Sequence, residues 1–317
     1  MGASPLRVVY FGTPQFAVPT LERLLASRHA VVGVVTQPDR ARGRGQKVTA
    51  GPVKALAVGH ALPVFQPDSL KAPDVDATVR AWQPDIGVVA AYGQLIPDSL
   101  LLVPPLGMIN VHASLLPKYR GAAPVHRAVI AGERQTGVTI MRVARRLDAG
   151  AMFAAVTRPI DPDETSEALE RDLARLGADL LVAVLDSIAS GTAREVPQDE
   201  ASATYAAKIT RDDGRIDWTR PARAVHDQVR GLYPWPHAFA YLGGERLILL
   251  KTAVDPGTST APPGTVVEVS RDAIVVAAAP GPRLAILEVQ PEGRRAMGTR
   301  DFLAGRPIAA GARFDGA

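Results

Sequence analysis

The chain has 317 residues, 47% hydrophobic and 21% charged, enough for a sizeable core and for two domains. Thirty-six Lys and Arg against 32 Asp and Glu leave a net charge of +4, and the absence of cysteine excludes disulfides and thiolate chemistry. No run reaches 18 apolar residues, and the opening MGASPLRVVYFG lacks the charged head and apolar stretch of a signal peptide, so a cytoplasmic location is expected.

Taken in chain order, β-branched runs bounded by Gly, Pro or Asp predict buried strands at 6–12 (LRVVYFG), 30–37 (AVVGVVTQ), 85–93 (DIGVVAAYG) and 107–114 (GMINVHAS). Helical periodicity fills the intervals, over Phe16–Ser27, Val53–His60, Val75–Trp82 and Val125–Gly132. This alternation predicts an α/β fold, a Rossmann-like, mostly parallel, doubly wound sheet. TGVTIMRV (136–143) and AMFAAVTRP (151–159) add two strand candidates. A long helix follows, with Thr165 or Ser166 as N-cap and Gly191 as stop. Its apolar stripe runs through Leu169, Leu173, Leu176, Leu180, Val184 and Ile188.

The stretch 192–207 is polar and weakly periodic and reads as a linker. After it, short runs such as HAFAYLGGERLILLKTAV, GTVVEVS and RLAILEVQ are broken by turn residues, with one helix-like piece at Ala222–Gly231. They predict a smaller β-rich domain, a barrel among the options. The expected division is 1–191, a linker at 192–207, and 208–317.

Four motifs carry potential chemistry. The turn FGTP (11–14) follows the first strand, but no second glycine comes before Gly33, so the G-x-G-x-x-G of a dinucleotide site is missing. Asn110 and His112 lie two apart on a strand, so they project from one face, about 7 Å apart. They supply a neutral donor and a titratable base where open α/β sheets place ligands. On spacing alone the pair suits a packed core as well as a site. Asp148, in RRLDAG, follows a strand and can orient a histidine; taken alone, such an Asp is more often a turn or cap residue. DRARGRGQK (39–47) gathers Arg40, Arg42, Arg44 and Lys47 with two glycines. Lacking G-x-x-x-x-G-K-[ST], it is not a P-loop. No spacing of His or acidic residues suggests a metal site.

NVHASLLPKYRGAAPVHRAV, then TGVTIM, then LDAG, resemble the folate-dependent formyltransferases. The likeness extends through FGTPQFA, TQPDRARGRGQK, TYAAKI, RIDW and QPEGRRAM, over nearly the whole chain. It implies catalytic roles for Asn110, His112 and Asp148 and a folate loop at Ser114, Leu115, Leu116 and Pro117. It also implies an OB-like β-barrel as second domain. The implied reaction moves a formyl group from 10-formyltetrahydrofolate to the α-amino group of methionine esterified to initiator tRNA, without a metal. Arg40, Arg42, Arg44 and Lys47 are then expected to enter the tRNA acceptor stem, with Lys208, Arg294 and Arg295 holding RNA backbone. A monomer is expected. One stretch departs from the family pattern: in VARRLDAGAM, Ala144, Arg146 and Ala151 stand where Asp, Gly and Asp are usual, which makes the flank of Asp148 less acidic. The competing readings are a formyltransferase acting on an amino sugar, which has no use for the basic strip, and a non-catalytic RNA-binding module, which has no use for Asn110, His112 and Asp148.

Overall fold

The computed structural model describes residues 4–42 and 47–315. The chain forms two units: Met1–Gly121, Thr136–Arg158 and Glu170–Tyr205 make the first, and Ala122–Gln135, Pro159–Leu169 and Ala206–Ala317 the second.

The first unit begins with β1 (Arg7–Gly12), in which every residue after Arg7 is buried. It continues through α1 (Val18–Leu25), β2 (Ala30–Val35), β3 (Arg40–Arg42), β4 (Lys47–Thr49), α2 (Pro52–Gly59) and β5 (Val64–Phe65). Then come α3 (Val75–Ala81), β6 (Ile86–Ala90), α4 (Asp98–Leu101), β7 (Met108–His112) and β8 (Arg120–Gly121). α5 (Pro124–Ile130) belongs to the second unit. Proline stands at the start of α1, α2 and α5, where its fixed φ suits a helix and its missing N–H goes unnoticed. β9 (Gln135–Arg142), β10 (Met152–Pro159), α6 (Ser166–Ala189) and β11 (Tyr205–Ala206) follow.

The main sheet has the order β10-β9-β7-β6-β1-β2-β5. β5, β2, β1, β6 and β7 pair in parallel, and β9 joins β7 antiparallel. The sheet is therefore mostly parallel with a reversed edge, a common variant of doubly wound sheets. β10 alternates partly buried and exposed residues, as an edge strand does. One core cluster includes Val9, Phe11, Val89, Tyr92, Leu100 and Met108. Each such large side chain, fully buried, contributes about 1.5–3 kcal/mol.

Thr165 caps α6, its Oγ1 accepting from the Ala168 N–H at 3.3 Å, while the Ser166 hydroxyl donates to the Tyr233 carbonyl. Leu169, Leu173 and Val184 of the expected stripe are buried, as are Leu181 and Leu185 beside it, whereas Leu176, Leu180 and Ile188 are only half-buried. The stripe is rotated from the predicted one because α6 meets the sheet at Gly177. A Cβ there would lie 2.7 Å from Val111 and 3.0 Å from Val138, so only glycine allows this approach.

The second unit adds α7 (Ala222–Gly231), β12 (Ala238–Leu242), β13 (Glu245–Ser259), β14 (Val266–Val269), β15 (Ile274–Val276) and β16 (Gly281–Pro291). β17 (Met297–Gly298), α8 (Thr299–Gly305) and β18 (Phe314–Asp315) complete it. Its antiparallel sheet has the order β14-β15-β16-β13-β12-β18. Backbone bonds from Gly311 to Val266, Val266 to Ala312 and Phe314 to Gly264 then tie the two ends together, curling the sheet into the OB-like barrel. Trp218 and Phe314, with ring centroids 5.4 Å apart, fill its core. Ahead of α7, a 3₁₀ turn at Asp212–Gly214 leads into GRIDW (214–218), which joins the sheet through a single bridge from Arg215 to Phe239.

Candidate active site

Period-two geometry puts Asn110 and His112 on one face of β7, at its C-terminal end. β6 supports Asn110 through Val89; on β9, Asn110 faces Met141 and His112 faces Thr139. His112 is buried and Asn110 half-buried.

Thr139 folds the next loop back onto β9. Its hydroxyl donates to the Ser114 carbonyl at 2.7 Å and accepts from the Leu116 N–H at 3.2 Å. The Ser114 hydroxyl donates to the Lys118 carbonyl at 2.6 Å, and the residue is fully buried. Ser114 thus shapes the turn with its own side chain. Leu116 is buried, Leu115 and Pro117 half-buried, and the Leu116–Pro117 peptide is cis. A Cβ on Gly137 would lie 2.5 Å from the Leu115 side chain, so Leu115 packs across β9.

The same loop fixes the histidine tautomer. His112 Nε2 lies 3.0 Å from the Tyr119 carbonyl oxygen, which can only accept. Nε2 therefore carries the proton, and Nδ1 of the neutral ring carries the lone pair. Asp148 Oδ2 lies 3.7 Å from Nδ1, beyond hydrogen-bond length, with side-chain exposures of 6% and 12% for the two residues. Attraction across that gap appears once Nδ1 gains a proton. The Tyr119 carbonyl thus orients the ring, and Asp148 stands where its carboxylate can stabilise an imidazolium.

Asp148 sits on a turn with φ +48°, a conformation that Asp tolerates better than most residues. Its Oδ2 accepts from the Gly121 N–H at 2.8 Å. From the segment after α6, the Gln198 amide donates to the carbonyls of Asp148 and Gly150, both at 2.8 Å. Gln198 Oε1 in turn accepts from Arg120 Nη2 at 2.8 Å and Nε at 3.0 Å. Arg120 is fully buried, and Glu200 meets it at 3.0 Å and Arg146 at 2.7 Å. Hydrogen bonds from Arg120, then from Arg146, hold the Glu200 carboxyl below the usual carboxylate range.

Asn110, His112 and Asp148 thus come together, while Thr139, Arg120, Gln198 and Glu200 escaped sequence reasoning. Arg120 stands inside the quoted loop motif, which could have flagged it. Gln198 and Glu200 lie in a polar stretch that carries no periodic signal.

The basic residues lie on separate segments. β3 and β4 pair antiparallel, Arg40 with Thr49 and Arg42 with Lys47, so the ends of the strip form a ribbon. Arg44 and the two glycines beside it lie outside the described residues. At the ribbon's base, Asp39 accepts from Lys54 at 2.5 Å and from Gln66 at 3.0 Å. Lys54, then Gln66, hold the Asp39 carboxyl below its ordinary range. In the second unit, Lys208 is exposed, and Arg294 and Arg295 are exposed between β16 and β17. That unit also holds a cavity of about 390 Å³, where His226 bonds to Thr252 and Pro162 and Arg230 pairs with Asp227, all within the unit. Among the described residues no three His, Asp or Glu side chains gather to hold a metal, and no helix is long and apolar enough to cross a membrane.

Comparison with known proteins agrees with this architecture. Residues 6–185 match the formyl transferase family and residues 208–307 its C-terminal domain. The methionyl-tRNA formyltransferase of Trichlorobacter lovleyi is 45% identical over 305 residues, 96% of each chain. That of Methylococcus capsulatus is 45% identical over 304 residues, 96% of this chain and 98% of the other. Among solved structures, the N-formyltransferase of Helicobacter canadensis, in complex with folinic acid and dTDP-3-aminofucose, matches in fold with a TM-score of 0.66 at 16% identity. It covers 90% of this chain and 99% of its own. With both domains matched and near-full-length relatives at 45% identity, the chain belongs to the formyl transferase family.

Proposed function

We propose that this chain transfers the formyl group of 10-formyltetrahydrofolate to the α-amino group of methionyl-initiator tRNA, giving N-formylmethionyl-tRNA for translation initiation in the cytoplasm. The observation that carries the chemistry is the convergence of Asn110, His112 and Asp148 at one strand end. The donor set fits a formyl donor, because the reaction needs a donor for the carbonyl oxygen and an acceptor for the amine's proton, and both stand on one face of β7.

10-Formyltetrahydrofolate supplies the formyl carbon. The Asn110 amide N–H stabilises negative charge as it develops on the formyl oxygen, worth roughly 3 kcal/mol by analogy with other oxyanion donors. An α-amine has a pKa of about 8, so at neutral pH it needs modest help to lose its proton. His112 takes that proton at Nδ1, because Nε2 is committed to the Tyr119 carbonyl. Asp148 then lies 3.7 Å from a positive charge that it stabilises. As the new bond to the methionyl nitrogen forms, the bond between the formyl carbon and N10 of the folate breaks, and the proton taken by His112 passes to N10, so tetrahydrofolate leaves and His112 returns to its neutral form.

In this reading catalysis belongs to the first unit, which includes the stretch 192–205, and RNA binding to residues 208–317 of the second. The exposed residues Arg40, Lys208, Arg294 and Arg295, with Arg42, Arg44 and Lys47 of the basic strip, supply the cationic surface for the tRNA backbone. Ser114, Leu115, Leu116 and Pro117 shape the folate-side loop. The ribbon favours a tRNA substrate over an amino sugar, which offers no phosphate backbone to grip. Formylation of methionyl-tRNA by the purified chain with 10-formyltetrahydrofolate tests the proposal. Formylation of a nucleotide-linked amino sugar in place of methionyl-tRNA would overturn it.

A further inference from the structure

Asp148 is the one member of the constellation outside β7. It sits on an exposed turn, 36 residues beyond His112 in number, with a positive φ. The tertiary contacts of that turn therefore decide whether its carboxylate faces His112.

Two contacts come from the segment that follows α6. The first is Gln198, whose amide donates to the carbonyls of Asp148 and Gly150, gripping the backbone on both sides of Ala149. Buried Arg120 fixes that amide's orientation: Arg120 Nε and Nη2 both donate to Gln198 Oε1, so the amide nitrogen must face the turn. The second contact is the ion pair of Arg146 with Glu200, at 2.7 Å, two residues before Asp148. Glu200 also meets Arg120 at 3.0 Å, so both ties run to one buried guanidinium. Arg120 begins β8, and the next residue, Gly121, donates its N–H to Asp148 Oδ2. Arg120 thus links the backbone that holds the Asp148 carboxylate to the side chains that hold its turn.

We propose that Gln198 and the Arg146–Glu200 pair are positioning groups that, keyed by Arg120, hold the turn so that Asp148 faces protonated His112. In the resemblance drawn from the sequence, Arg146 stands at a position where glycine, which offers no side chain for such a pair, is usual. Neither group touches substrate; both act through Asp148. The inference rests on the role proposed above for Asp148.

The full-length variants Gln198→Met, Gln198→Glu and Arg146→Ala test it, each alone and combined with Asp148→Asn. Gln198→Met removes every bond, and Gln198→Glu keeps the acceptor for Arg120 while removing the donors to the turn. The Arg146 side chain is 67% exposed, so Arg146→Ala leaves the core untouched even if the Gln198 variants fail to fold. Kinetics on methionyl-tRNA and 10-formyltetrahydrofolate should show kcat lowered about tenfold to a hundredfold for the Gln198 variants and about threefold or more for Arg146→Ala, with both KM values within about twofold. Arg145→Ala, one residue away and 88% exposed, should match the parent chain. In the Asp148→Asn background the same substitutions should cost less than about twofold, because the group they position is already gone.

Losses that multiply with that of Asp148→Asn would overturn the inference, as would a raised KM at constant kcat. Parent-like kcat in Arg146→Ala would remove the second tie. Should Asp148→Asn itself leave kcat unchanged, the catalytic reading of Asp148 fails; damage there with parent-like Gln198 and Arg146 variants defeats only the positioning inference.

Discussion

Replacing Asp148 with Asn removes one charge and little else. Asn keeps a carbonyl oxygen that can accept from the Gly121 N–H, now met at 2.8 Å, so the turn retains its anchor. What disappears is the attraction between the carboxylate and a protonated His112. At 3.7 Å and an effective dielectric of about 20, that attraction is about 4 kcal/mol. The side chains are only 6% and 12% exposed, so solvent screening removes a minor part of it. Since about 1.4 kcal/mol corresponds to tenfold in rate, kcat should fall about 10²- to 10³-fold. The assay is single-turnover formation of formylmethionyl-tRNA at saturating 10-formyltetrahydrofolate, with folding followed by thermal denaturation. Tm should move by no more than about 4 °C, because the anchor survives. A folded Asp148→Asn enzyme within about threefold of the parent rate would refute the electrostatic role.

The remaining predictions concern other parts of the molecule. Gly150→Ala places a Cβ 1.9 Å from the Arg142 carbonyl oxygen; the turn must move, and Tm should drop by several degrees, for an overpacking cost of about 1–3 kcal/mol, together with kcat, as calorimetry and kinetics would show. Replacing Arg294 and Arg295 with Ala should weaken tRNA binding and flatten the slope of log affinity against log salt by about 1 to 2, measured by filter binding across a salt series; an unchanged slope would remove them from the RNA surface. Asp39 has a folded pKa below its unfolded value, chiefly through Lys54, so the stability it adds is present above about pH 5 and disappears as the pH falls below about 4. Asp39→Asn should accordingly melt below the parent at pH 7, and the difference should shrink as the pH falls and the Asp39 carboxyl takes up its proton.

Much of the first unit is legible from local pattern. Buried runs mark strands within a residue or two of those at Arg7–Gly12, Ala30–Val35 and Met108–His112, and helical periodicity marks the helices at Val18–Leu25 and Pro52–Gly59. The Asn110–His112 pair was legible too, since two residues apart on a strand is a local fact. The ribbon was not: its pairing joins residues on either side of Arg44, and charged side chains hide the alternation that normally signals strands. On α6 the expected stripe holds at Leu169, Leu173 and Val184 but misses Leu181 and Leu185, because helical periodicity fixes a stripe's width, while the sheet beneath Gly177 fixes its direction.

The candidate site divides along the same line. Sequence alone placed an amide and an imidazole on one face at the end of β7, because side-chain type and strand period are both local properties. Only the tertiary structure decided which nitrogen of His112 is free, since that depends on the Tyr119 carbonyl, and where Asp148 points, since that depends on Gly121 and Gln198. Those partners lie 7, 27 and 50 residues away, and a hydrogen bond across such separations leaves no period in the sequence.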